Sequence, residues 1–116
     1  MNFQSLSCSI VLTLSAALFS SCVAAEEPYA RITFPPDGAK LDAMSQNHID
    51  YEVNPGPRGS HIHLYVDNEE AAILRKLSGS HALEPLPPGA HSLCIKVVNK
   101  AHVPIGVEQC IKVNIE

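Results

Sequence analysis

The segments His91-Ser-Leu-Cys-Ile-Lys-Val-Val98 and Val107-Glu-Gln-Cys-Ile-Lys-Val-Asn-Ile115 decide the fold. Both alternate apolar and polar residues with the period of a β-strand, whose successive side chains point to opposite faces. Leu93, Ile95 and Val97 then face inward from the first segment, and Ile111, Val113 and Ile115 from the second. A hairpin centred on His102 sets Cys94 opposite Cys110, Lys96 opposite Glu108, Ser92 opposite Lys112 and Val97 opposite Val107. One register thus satisfies the cysteines, the charges and most of the apolar face. Gln109 is the exception, since it lands on the inner face opposite Ile95. Directly opposed residues have Cα atoms about 4.5–5.5 Å apart, within disulfide range. A Cys94–Cys110 bond is therefore expected. A redox or metal-binding pair fits less well, because no Cys-x-x-Cys is present.

Upstream, Pro and Gly punctuate the chain at short intervals, and alternating segments lie between them. Strands are expected at Arg31–Phe34, His48–Val53, His61–Val66, Ala71–Lys76 and His81–Glu84. Glu69–Leu77 reads equally well as a short helix or an edge strand. About seven strands in this order predict an all-β fold, an immunoglobulin-like antiparallel β-sandwich.

Residues 1–25 read as a signal peptide. Ser9–Phe19 is a nearly unbroken apolar run, and Val23-Ala24-Ala25 fits a small-x-small cleavage pattern. No Lys or Arg precedes the run, which departs from the usual charged start. The run is shorter than the roughly 20 residues that cross a bilayer, so no membrane span is expected. Phe19-Ser20-Ser21-Cys22 offers a rival cut that would make Cys22 a lipid anchor. Either cut exports the domain of residues 26–116 to the periplasm or the exterior. A domain this small builds a thin core and needs a staple, which a disulfide supplies in an oxidising compartment.

The chain has 116 residues, and its 8 Lys and Arg and 12 Asp and Glu give a net charge of −4. All of these charges follow Ala25. That balance argues against nucleic acid, whose binding rests on a basic face. No basic stripe points to an anionic membrane surface. Trp is absent, so stacking on sugars or bases has little to work with. No Gly-x-Ser-x-Gly, phosphate loop or dinucleotide fingerprint suggests an enzyme. Asp50 and Glu52 share one strand face rather than flanking a cleft, as a paired-carboxylate mechanism requires.

All 6 histidines follow the apolar leader as well. His61 and His63 share one strand face, opposite to Ile62, Leu64 and Val66, so both imidazoles are expected to reach solvent. Two imidazoles on one side are a usual start for a Zn²⁺ or Cu²⁺ site. In the sandwich plan this strand pairs antiparallel with the strand from His91, which places its start beside the loop carrying His102. The three histidines are therefore expected to gather at one end of the sheet, beside the Asn54–Gly59 loop. The bland alternative is an exposed face that happens to use His. Met44 is a conceivable soft ligand without a placement argument. His91 lies toward the other end, where many sandwiches carry a corner Tyr, and reads as a structural corner or an additional ligand. His48 and His81 read as surface residues.

The stretches His61-Ile-His-Leu-Tyr-Val-Asp67, Pro87-Pro-Gly-Ala-His91 and Asn99-Lys-Ala-His-Val-Pro104 resemble those of a group of small exported bacterial immunoglobulin-like domains of unknown function. The resemblance runs from about Ile32 to Ile115. It implies the sandwich fold and singles out His61, His63, His91 and His102, but it implies no activity. The cysteine pair is not part of that pattern. Two functions remain open: a binding protein for Cu or Zn, and a non-catalytic interaction module whose partner is another envelope protein.

Overall fold

The computed structural model describes residues 26–116. The expected signal peptide and Cys22 lie outside the described residues. Eight strands follow one another: β1 (Tyr29–Phe34), β2 (Ala39–Leu41), β3 (His48–Asn54), β4 (His61–Val66), β5 (Glu69–Leu74), β6 (Ser78–Ala82), β7 (Gly89–Val98) and β8 (Pro104–Ile115). They form a three-stranded sheet, β1-β3-β6, and a five-stranded sheet, β2-β8-β7-β4-β5. This is an immunoglobulin-like β-sandwich. Ile49, Tyr51 and Val53 of β3 meet Ile62, Leu64, Leu93, Ile95, Val97, Ile111, Val113 and Ile115 in the core between the sheets. The alternation read from the sequence therefore selects the buried face in both layers.

The last hairpin keeps most of its expected register. Cys94 pairs with Cys110, Lys96 with Glu108, Ser92 with Lys112 and Ile95 with Gln109. The disulfide is formed, with a Cα–Cα distance of 4.0 Å. Gln109, the apparent misfit, has a partner in the other sheet: its Oε1 accepts the Ile32 N–H. Lys96 and Glu108 face each other in register, yet the Lys96 ammonium lies 4.6 Å from the centre of the Tyr65 ring. The pairing of Val97 with Val107 does not occur. Beyond Lys96 the next pair is Val98 with Pro104, so Ile105, Gly106 and Val107 of β8 bulge where β7 has Val97 alone. Gly106 makes this possible at φ +90, a conformation that L side chains rarely adopt.

Other differences have similarly local causes. Asp67 and Asn68 both have positive φ and make a tight turn, so β5 begins at once at Glu69 instead of Ala71. Glu69–Leu77 resolves in favour of the edge strand over its first part. β6 begins at Ser78, earlier than His81, because Glu52 to His48 pair with Ser78 to Ala82. The short β2 has no periodicity to betray it. It is held parallel to β8, with Leu41 beside Ile115, after Lys112 donates its N–H to Asp37 Oδ1 at 2.8 Å.

Candidate metal centre

The outer face of the five-stranded sheet carries His61, His63 and Tyr65 from β4, because these alternate with the buried core residues. β7 runs antiparallel beside β4, pairing His61 with Val98 and His63 with Lys96. The chain leaves β7 after Val98 and must turn over the same corner. Asn99 shapes that turn: its Oδ1 accepts the N–H groups of Ala101 at 2.8 Å and Val103 at 3.1 Å. His102 donates its N–H to Asn99 O and adopts φ 65, so its ring is carried back over β4.

The three rings meet there. His102 Nδ1 lies 3.0 Å from His63 Nε2 and 3.3 Å from His61 Nε2. One ligand nitrogen from each residue lies within 4.8 Å of the others. For comparison, Zn–N bonds of about 2.0–2.1 Å in a tetrahedron separate the ligand nitrogens by roughly 3.3 Å. Two of the three separations are close to that value.

His61 and His63 do not reach solvent as expected; each is only 3 % exposed. The His102 turn roofs them, with ring centroids 4.6 Å and 5.1 Å from its own. His102 itself is exposed. Burial disfavours the charged form of His61, whose pKa is lowered first by desolvation and then by Arg75 and the neighbouring imidazoles. A neutral imidazole is the form that binds a metal.

The opposite ring nitrogens are also placed. His61 Nδ1 is 3.0 Å from Ser60 Oγ. His63 Nδ1 is 3.3 Å from Glu70 Oε1, off the direction of a good hydrogen bond, and has no other partner. With a proton on each Nδ1, both Nε2 lone pairs point at His102. His102 Nδ1 carries either one hydrogen or one lone pair. It can therefore satisfy one of its two close neighbours fully, never both. A cation between the three lone pairs satisfies all of them at once. Ser60 and Glu70 then occupy the places of the outer partners that orient metal-bound histidines.

Sequence reasoning found the three histidines and missed Ser60, Glu70 and Arg75. Arg75 directly follows Leu74, the β5 partner of Ile62 and the last paired residue of that strand, and its charge is felt at His61. The Asn54–Gly59 loop leads into β4 at this end of the sheet, and on the core side a Cβ on Gly59 would sit 2.6 Å from Val97 Cγ1.

His91 is not an additional ligand. The strand from His91 to Val98 spans about 23 Å, which holds it away from the cluster. Its Nδ1 donates to Asp67 Oδ2 at 2.6 Å and its Nε2 donates to Pro87 O at 2.7 Å. Asp67 Oδ1 also accepts the Ser92 N–H at 2.9 Å. With both nitrogens donating, the ring is a cation, and its pKa is raised chiefly by Asp67. It closes the corner, as the structural reading expected. Met44 is 91 % exposed and follows β2, at the Ile115 end of β8, so it is remote from the histidines. His48 stacks on Phe34, with centroids 5.1 Å apart.

No family model matches the chain, and no curated protein matches it. Solved structures do. Fibronectin(III)-like modules of Clostridium thermocellum CbhA align with TM-score 0.63 and 12 % identity over 75 % of this chain and 96 % of theirs. The extracellular domain of the putative one component system BT4673 from B. thetaiotaomicron aligns with TM-score 0.52 and 14 % identity, over 80 % of this chain and 16 % of that one. A Jonesia denitrificans lytic polysaccharide monooxygenase aligns with TM-score 0.50 and 16 % identity, over 71 % of this chain and 60 % of that one. At such identities the likeness is one of fold alone.

Proposed function

We propose that this chain is an exported, non-catalytic binding protein that holds Cu²⁺ or Zn²⁺ through His61, His63 and His102, in the periplasm or outside the cell. One observation carries the reading: three imidazole nitrogens from distant parts of the chain converge in an arrangement that hydrogen bonding alone cannot satisfy. The donor set suits either metal, since imidazole is a borderline ligand that serves both. Export is supported by the Cys94–Cys110 disulfide and by the apolar leader ending at Ala25. The test is calorimetric titration of the protein and of the His61→Ala/His63→Ala variant with each metal. Micromolar or tighter binding lost in the variant supports the site, and equal binding by both proteins removes it.

A second reading, an interaction module for another envelope protein, is favoured by β5. It is an edge strand whose Glu69, Glu70, Ala71 and Ile73 are exposed, and such edges accept a partner strand. Absence of metal binding together with recovery of an envelope protein by the immobilised domain would favour it.

A further inference from the structure

The three nitrogens leave a tetrahedral ion one ligand short. Among the described residues no further Cys, His, Asp or Glu joins the group. Neutral imidazoles also leave the ion's two positive charges uncompensated. Glu70 does not supply the missing ligand as placed, because its Oε1 faces the far nitrogen of His63. Lys96, the register partner of His63, is turned over Tyr65.

Arg75 is the remaining charged neighbour. It is exposed, lies one residue past the end of β5, where the ladder extended by one more pair would set it across from His61, and makes no ion pair among the described residues. A cation beside a divalent ion is unfavourable unless an anion sits between them. A guanidinium offers the planar fork that matches a carboxylate.

Resting on the metal reading above, we propose that the centre takes a small carboxylate from solution as its fourth ligand, with one oxygen on the ion and the carboxylate held by Arg75. The site would then bind a metal–carboxylate pair, and would load and release its ion through an open position rather than enclose it. Three histidine ligands, the exposed third ligand on a turn and the unpaired guanidinium each fit that role.

The test uses the full-length chain loaded with Co²⁺, whose visible absorption reports coordination, titrated with sodium acetate at constant ionic strength. The expected result is a saturable spectral change, with acetate affinity reduced about tenfold or more in Arg75→Gln. Co²⁺ affinity measured without acetate should not fall in that variant. A spectrum that acetate leaves unchanged, or equal acetate affinity in Arg75→Gln, overturns the inference while leaving the metal site standing. Failure of Co²⁺ to bind the wild-type chain overturns the inference and the metal reading together.

Discussion

His63 Nε2 lies 3.0 Å from His102 Nδ1, although 39 positions separate them in the chain. One residue belongs to a buried strand and the other to an exposed turn. Their contact exists because β7 runs back along β4 and releases the chain at the corner where β4 begins. The site is thus rigid on one side and carried by a short loop on the other.

That asymmetry separates ligand loss from folding. His102→Ala removes an exposed ring outside the apolar core, together with its hydrogen bond to the buried imidazoles, and should cost about 1 kcal/mol of stability. It should still weaken Zn²⁺ or Cu²⁺ binding by at least about a hundredfold. Titration calorimetry and a thermal melt on the same sample check both halves. A variant that keeps wild-type affinity contradicts the assignment of His102.

Ser60→Ala and Glu70→Gln address the outer partners. Each leaves all three ligands in place but loosens the orientation of one ring. Metal affinity should fall about 10- to 100-fold in each, as for other outer-shell changes. Affinities within twofold of wild type would show that the partners are incidental.

Acid should act on the cluster and the corner with opposite signs. His61 resists protonation when folded but accepts a proton near 6.5 when unfolded. The unfolded chain therefore binds more protons as pH falls below 6.5, and His61 withdraws stability there. The same protons compete with the metal, so affinity should fall below about pH 6. His91 has a raised pKa and Asp67 one lowered from 3.8. The His91 contribution is complete below 6.5 and lost as pH rises through its folded value. The Asp67 contribution is present above 3.8 and lost as pH falls through its folded value. The difference between wild type and His91→Gln should thus be largest between those limits and shrink at pH 9. Asp67 is half exposed, so its pairing is worth no more than about 1 kcal/mol. Melts across pH 4–9 read the difference directly.

Much of this arrangement was legible in the sequence. The Cys94–Cys110 register followed from a single hairpin that had to satisfy cysteines, charges and apolar faces together. The gathering of His61, His63 and His102 followed from the same hairpin placed beside β4. The burial of His61 and His63 was not legible, because it depends on how the Asn99 turn folds back, and alternation says only which face a residue occupies. Arg75 was hidden by a bulge, and Glu70 by the expectation that the strand begins only at Ala71. A regular hairpin about Asp67 and Asn68 sets His61 opposite Leu74, whereas the irregularity after Leu64 shifts the ladder, whose extension by one more pair would set Arg75 there instead. The Val97–Val107 expectation failed for the same kind of reason at Gly106. Bulges are local events of one or two extra residues without periodic signal.

The disulfide should carry a large part of the stability of so small a core. Replacing Cys94 and Cys110 by Ser should cost about 3 kcal/mol, since the bond closes a loop with a sequence separation of 16. Urea denaturation of the two proteins measures it. A loss below about 1 kcal/mol would mean that the strand pairing alone holds the hairpin.

X-ray absorption of the Zn²⁺- or Cu²⁺-loaded protein tests the central claim most directly. The account predicts three imidazole nitrogens at about 2.0 Å from one ion, falling to two in His102→Ala. A wild-type spectrum with fewer than three imidazoles, or one that His102→Ala leaves unaltered, would contradict it.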